Sequence, residues 1–221
     1  MPAYGQTKLQ IINAVLPRMR ESTVATSSST IYASLVASVL NVIKAQIESA
    51  WQWRNLRDTY TITVTPGVTS YALTGSGQFA QIMDIWNRTT NSELARGTTR
   101  GFNEKFFGVT TVQTGDVAEY NPAGLDASYD VQIDTWPNVT STNTLKANLY
   151  VPAADPATDA TVVLVPNQVL IEGMVAYLLA ERGDDSGTAV QMQVAIYERM
   201  LGDAIAAEIG QDSSEADWTP V

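Results

Sequence analysis

The 221-residue chain contains no His and no Cys, which removes most of the side chains that catalysis and metal binding draw on. Cys–His and Ser–His–Asp nucleophilic arrangements are excluded, as are zinc sites built from thiolate or imidazole. Carboxylates remain. Glu181 with Asp184 and Asp185 is the densest group, and in principle it offers oxygen ligands to magnesium or calcium. Its spacing does not match a calcium-binding helix–loop–helix, and Asp and Gly in a short link between helices serve turn geometry, so the link is the favoured reading. Gly75–Ser76–Gly77 has part of a phosphate-cradling loop, but it lacks the third glycine and the Lys and joins one strand to another. It reads as a hairpin loop. Paired carboxylates for glycoside cleavage are available in a middle region rich in Asp and Glu, yet no pair stands out. Asn138–Val139–Thr140 has the form of a glycosylation sequon, which has meaning only in a secretory context. The expectation is a non-enzymatic protein with no catalytic, cofactor or metal site.

The tryptophans carry more information. Trp51 and Trp53 sit two apart at the end of a helical pattern, so they do not share one face, and Arg54 follows them. Trp51, Trp53 and Arg54 are therefore candidates for a seam between a helical region and the region that follows, with an ordinary core role equally open. Trp218 lies in a polar tail with no local core to enter, which favours an anchor in another subunit, since buried aromatics dominate many interfaces.

The elements that must position these residues follow from periodicity. In Gln6–Arg20, Leu9, Ile12, Val15, Leu16 and Met19 recur at helical steps, and Pro17 breaks or kinks the last turn. A Ser/Thr-rich loop from Ser22 to Thr30 ends in N-cap candidates. A longer helix runs from about Thr30 to Trp53, with Ile31, Leu35, Val39, Val42, Ile43, Ile47 and Ala50 as its apolar positions. At Asp58 the period changes to two: Tyr60, Ile62 and Val64 alternate with threonines. Pro66–Gly67 supplies a turn, Thr69–Leu73 a returning strand, and Ala80–Asn87 a third strand. Tyr129–Trp136 and Lys146–Val151 are the clearest later strands, and Phe102–Phe107 suits a helical turn. About six short strands are expected in this block. Helix returns at Pro166, with Val169, Leu170, Met174, Tyr177 and Leu178 facing inward and Gly183 as the C-cap. A last helix spans about Thr188 to Ile209 through Val190, Val194, Tyr197, Leu201, Ile205 and Ile209.

The expected fold is α+β: a helical bundle formed by N- and C-terminal helices, with an inserted antiparallel β-module. The expected divisions are 1–57 and 166–211 for the bundle helices, 58–165 for the β-module and 212–221 for an extended tail. Charge is divided along the same lines. Residues 1–57 carry six Lys or Arg against two acids, and residues 166–221 carry two against ten. The basic N-terminal helices are expected to pack against the acidic C-terminal ones. A net charge of −10 disfavours tight phosphate-backbone binding and suits an acidic surface past which DNA slides. Every long apolar stretch is interrupted by polar residues, and no basic-then-apolar leader is present, so no membrane partner is expected.

Ala50–Trp51–Gln52–Trp53–Arg54–Asn55–Leu56 leads into Tyr60–Thr61–Ile62–Thr63–Val64–Thr65–Pro66–Gly67 and Tyr71–Ala72–Leu73. Later come Ala176–Tyr177–Leu178–Leu179–Ala180–Glu181–Arg182–Gly183–Asp184–Asp185–Ser186–Gly187, Tyr197–Glu198–Arg199 and Asp203–Ala204–Ile205–Ala206. In this order the blocks resemble the head-to-tail adaptor (connector, or head-completion) proteins of tailed bacteriophages. The resemblance covers most of the chain, is weakest from Thr89 to Asp126, and departs at the Ser22–Thr30 loop, where acidic residues are expected. It implies a homo-oligomeric ring, usually of twelve copies, in the virion neck between the portal protein and a downstream tail or nozzle protein. It further implies that the helices line a DNA channel without sequence-specific binding, and that the C-terminal segment contacts the portal. Asp212, Glu215, Asp217 and Trp218 are the portal-contact candidates on that basis. Two other functions stay open on the residues alone: a receptor- or glycan-binding tail or baseplate module on a helical stalk, and a carboxylate-dependent hydrolase.

Overall fold

Thr7 opens the first helix with a reciprocal cap. Its hydroxyl accepts from the Gln10 amide and the Gln10 side chain accepts from the Thr7 amide, satisfying two N–H groups that a helix start leaves free. In the computed structural model, which describes residues 5–182 and 187–212, this helix (α1) spans Lys8–Val15. Pro17 then turns the continuation into a 3-10 segment, Leu16–Met19. The fold is α+β, with five α-helices and two four-stranded sheets among the described residues. Two compact units divide the chain: residues up to Asn55 together with those from Ala153 onward, and Leu56–Pro152 between them.

The first unit is helical. After α1 it contains α2 (Ile31–Ala50), α4 (Asn167–Glu181) and α5 (Thr188–Asp212). Thr30 caps α2 by accepting from the Ala33 amide. The buried side of α2 is Ala33, Val36, Val39, Leu40, Ile43 and Ile47. Ile31, Val42 and Ala50, expected on that side, face solvent, because the three-and-four repeat that packs inward starts at Ala33. α4 is buried continuously from Val169 to Ala176, the mark of a helix enclosed by others. Gly173 is needed there: a Cβ would come within 2.8 Å of both Ile43 of α2 and Tyr197 of α5. In α5, Val190, Gln193, Ala204 and Glu208 are buried, whereas Val194 and Ile209, expected to face inward, are exposed. Gly183, the expected C-cap of α4, lies outside the described residues.

The segment from Ala153 to Val165, which the sequence reading attaches to the β-module, packs with the helices. The Lys8 amide donates to Thr161 O and the Val163 amide to Gln6 O, and Val163 and Val165 are buried. The alternating pattern that marks β-structure ends at Pro152, and this stretch bonds to the start of α1 instead.

The second unit holds the strands β1 (Arg57–Val64), β2 (Ser70–Ala72), β3 (Gln81–Asn87), β4 (Ser92–Glu93), β5 (Ala95–Arg96), β6 (Glu119–Leu125), β7 (Val131–Trp136) and β8 (Asn143–Tyr150), with α3 (Thr99–Phe107) between β5 and β6. One sheet has the order β1-β8-β3-β4 and the other β2-β7-β6-β5. β1 runs antiparallel to β8 from Arg57↔Tyr150 to Val64↔Asn143. The inward residues of both sheets, among them Ile62, Ile85, Leu145, Tyr120 and Ile133, share one core. Two features depart from the expectation of an antiparallel module of about six strands. β5 pairs with β6 in parallel, and β6 is a strand despite Pro122 and Gly124, which the sheet accommodates by shifting register between those residues.

Candidate functional site

Trp53 is fully buried in the helical unit, and its indole N–H donates to Ile47 O at 2.7 Å. A buried indole needs that acceptor, and the backbone supplies it because the chain reverses tightly after α2: the Trp53 amide bonds to Trp51 O. Trp51 itself is half-buried, and its indole nitrogen has no hydrogen-bond partner among the described residues. Arg54 reaches Glu208 of α5, Nε to Oε2 at 3.2 Å. The end of α2 is thereby tied to the last turns of α5, and Asp212 ends α5 one turn beyond Glu208. Of the four residues expected at the portal contact, Asp212 is the last residue of α5, while Glu215, Asp217 and Trp218 lie outside the described residues. The segment that carries them begins at the end of α5 held by Arg54. Asp184 and Asp185 also lie outside the described residues, and Glu181 is exposed at the end of α4.

Opposite charges pair across the helices as the charge division suggests. Arg18 makes two bonds to the Glu172 carboxylate, at 2.8 and 2.7 Å; Arg182–Glu21, at 3.1 Å, runs against that division, a C-terminal cation on an N-terminal acid. Glu172 is a buried hub, for it also accepts from Gln168 of its own helix and from Gln193 of α5. The Arg18 bonds, with help from Gln193 and Gln168, outweigh burial and hold its carboxyl below the usual carboxylate range. Lys44 and Glu48 form a second buried pair on the inner side of α2, 3.2 Å apart. Lys44 also donates to Ala153 O at 2.6 Å, and the Ala153 amide donates to Glu48. Burial pushes the Glu48 carboxyl up, against the pull of Lys44. This pair fastens the chain where it re-enters the helical unit.

In the β-unit the Gly75–Ser76–Gly77 loop does cradle an anion, and the anion is its own. The Gly75 and Gly77 amides each donate to the Asp130 carboxylate at 2.9 Å, and the Ser76 hydroxyl accepts from the Val131 amide. Both glycines have positive φ, +87° and +71°, a conformation open to glycine; the Ser76 N–H between them donates to Leu73 O, while those of Gly75 and Gly77 meet the same carboxylate. These bonds hold the Asp130 carboxyl below its usual range. Elsewhere Lys105 of α3 pairs with Glu119 and lies 4.3 Å over the Trp136 ring. Trp86, Phe79, Phe107 and Tyr129 are exposed.

Among the described residues no group of three His, Cys, Asp or Glu side chains is placed to hold a metal ion. The polar networks are used internally, as clamps between helices and loops. The sequence reading missed Glu172, Lys44 and Asp130, whose partners are up to 154 residues away. A lone acid or base inside an otherwise apolar helical repeat was the available signal for the first two. A family model described as SU10 adaptor protein matches residues 6–221. No curated protein matches the chain.

Proposed function

This chain belongs to the SU10 adaptor protein family, and on that premise we propose that it is a structural, non-enzymatic virion protein forming a ring in the phage neck between portal and tail. The family match over nearly the whole chain carries this reading. As proposed, copies of the chain, twelve in number, join into a closed ring whose helices surround the DNA path. The C-terminal segment with Asp212, Glu215, Asp217 and Trp218 binds the portal, and the β-unit meets the downstream tail or nozzle protein. The net charge of −10 supports a passive relation to DNA, because an acidic wall repels the polyanion and lets it move.

Electron microscopy of virions tests the reading. It expects a closed ring of this chain between portal and tail. Virions that lack the chain, or that carry it at the distal tip as a fibre or baseplate part, overturn it.

A further inference from the structure

The outer face of the sheet β1-β8-β3-β4 is polar except for one aromatic ring. Its inner face is packed, with Ile62, Ile85, Leu145 and Ala147 buried in the core. Side chains alternate across a strand, so the residues between these stand on the other side. The register sets them in rows. One row crosses from Thr59 of β1 through Asn148 of β8 to Asp84 of β3. The next crosses from Thr61 through Lys146 and Trp86 to Glu93 of β4. Trp86 is 38% exposed in a row whose other members are hydrophilic. A threonine, which β1 repeats on this face, would serve the sheet as well.

The polar groups beside the ring are held in place and keep bonding capacity. Thr59 Oγ1 donates to Asn148 Oδ1 at 2.7 Å, and Asn148 Nδ2 donates to Asp84 Oδ1 at 2.6 Å. The second oxygen of Asp84 and the second amide hydrogen of Asn148 take no part in this chain of bonds. Lys146 turns its ammonium to Thr61 of β1, the neighbour on the side away from Trp86. Among the described residues no cation lies over the Trp86 ring, whereas Trp136 carries Lys105 and Tyr32 carries Arg182. Same-face neighbours along a strand are about 7 Å apart and those directly across about 5 Å. The indole, the Asp84 carboxylate and the Asn148 amide therefore lie within the span of one disaccharide.

We propose that this face is a saccharide-binding site, on which a neutral gluco-configured pyranose stacks on Trp86 while Asp84 and Asn148 bond its hydroxyls. A pyranose with equatorial hydroxyls presents a side of axial C–H groups, weakly positive, and the face of an indole is negative. Its hydroxyls donate and accept, which matches a carboxylate oxygen beside an amide N–H. An aromatic plate with a few fixed polar groups is the usual make-up of a small-ligand site. Charge narrows the class to neutral sugars. Asp84 and Glu93 outnumber Lys146 on the face, so a phosphate backbone or an acidic sugar is repelled. Composition disfavours a protein partner, because interface cores are poor in charged residues and here a single ring stands among Thr, Asn, Asp, Lys and Glu. The site needs one copy only, so it stands apart from the ring reading. Repetition of the site in a ring adds avidity.

The full chain in solution is titrated with cellohexaose and with chitohexaose into the millimolar range, and binding is read by saturation-transfer NMR. Saturable binding to at least one of the two is expected, with the strongest transfer on the axial ring protons that meet the indole. Trp86→Ala should weaken it at least about tenfold. Trp86→Tyr keeps a flat ring and should keep most of the affinity. Asp84→Asn keeps the shape but removes the charged acceptor, and should weaken binding several-fold. The far-ultraviolet circular dichroism of the parent is the criterion of folding, and Asp84→Asn carries the test where Trp86→Ala does not meet it. Absence of saturable binding to both sugars overturns the proposal, as does a folded variant, Trp86→Ala or Asp84→Asn, that binds as the parent does. Loss of Trp86→Ala from virions, with no sugar bound by the parent, overturns it too and assigns the face to a protein contact.

Discussion

Glu172 shows how a single acid organises the helical unit. Its side chain is 7% exposed and answers Arg18, Gln168 and Gln193 at once. Removing it takes the carboxylate from the Arg18 guanidinium and leaves the buried Gln193 amide with only the Glu172 backbone carbonyl, so Glu172→Ala should destabilise the helical unit by about 1–3 kcal/mol. The check is urea unfolding followed by far-ultraviolet circular dichroism. The same carboxyl titrates below its unfolded value, so its contribution is fully present above the ordinary carboxylate range. That contribution is lost as pH falls through the lowered folded value. The acid sensitivity of the unfolding midpoint should be smaller in Glu172→Gln than in the parent. Asp130 behaves in the same sense in the β-unit. Amide exchange at Gly75 and Gly77 should stay slow until pH drops below the usual carboxylate range, and Asp130→Ala should make both amides exchange fast at neutral pH. None of these partnerships is visible in the sequence. Gly75 and Gly77 carry the mark of an anion cradle, but the carboxylate that fills it stands 53 to 55 residues away, and no local pattern connects them.

At the scale of elements, periodicity and caps carried most of the information. α2, α4, α5 and β1 were legible because each spaces its apolar residues at its own period, and Thr30 announces α2 as an N-cap. β6 was not legible. Pro122 and Gly124 argue against a strand, and only the shifted pairing with β7 makes room for them. The buried sides of α2 and α5 were legible only in part, since Ile31, Val42, Val194 and Ile209 are apolar yet exposed. Apolar character alone does not separate a side that packs within the chain from one that packs elsewhere. Two glycines separate the cases by experiment. Gly173→Ala forces a methyl to within 2.8 Å of Ile43 and Tyr197 and should destabilise by about 1–3 kcal/mol through overpacking. Gly202→Ala meets open space and should raise the stability of the free chain by up to about 1 kcal/mol through helix propensity. Thermal unfolding of both variants measures opposite signs.

For the whole molecule, the absence of His and Cys narrowed the chemistry, and the succession of blocks pointed to the family that the match over residues 6–221 establishes. What neither sequence nor fold assigns directly is the division of labour between the folded units and the C-terminal segment. The bonding pattern makes that division testable. Arg54 and Glu208 fix the end of α5 to the end of α2, and Glu208 lies before the segment 211–221. That segment is polar and acidic, with Trp218 as its one large apolar side chain, and such a sequence buries little core of its own. Deleting residues 211–221 should therefore leave the melting temperature of the free chain within a few degrees of the parent. Attachment to purified portal particles, followed by co-sedimentation, should fall at least tenfold. Trp218→Ala alone should reproduce a large part of that loss, because one buried aromatic commonly contributes 2 kcal/mol or more at an interface, about thirtyfold in affinity. Truncated chain that still co-sediments at the parent level would remove the C-terminal segment from the portal contact and move the search to the ends of α2 and α5.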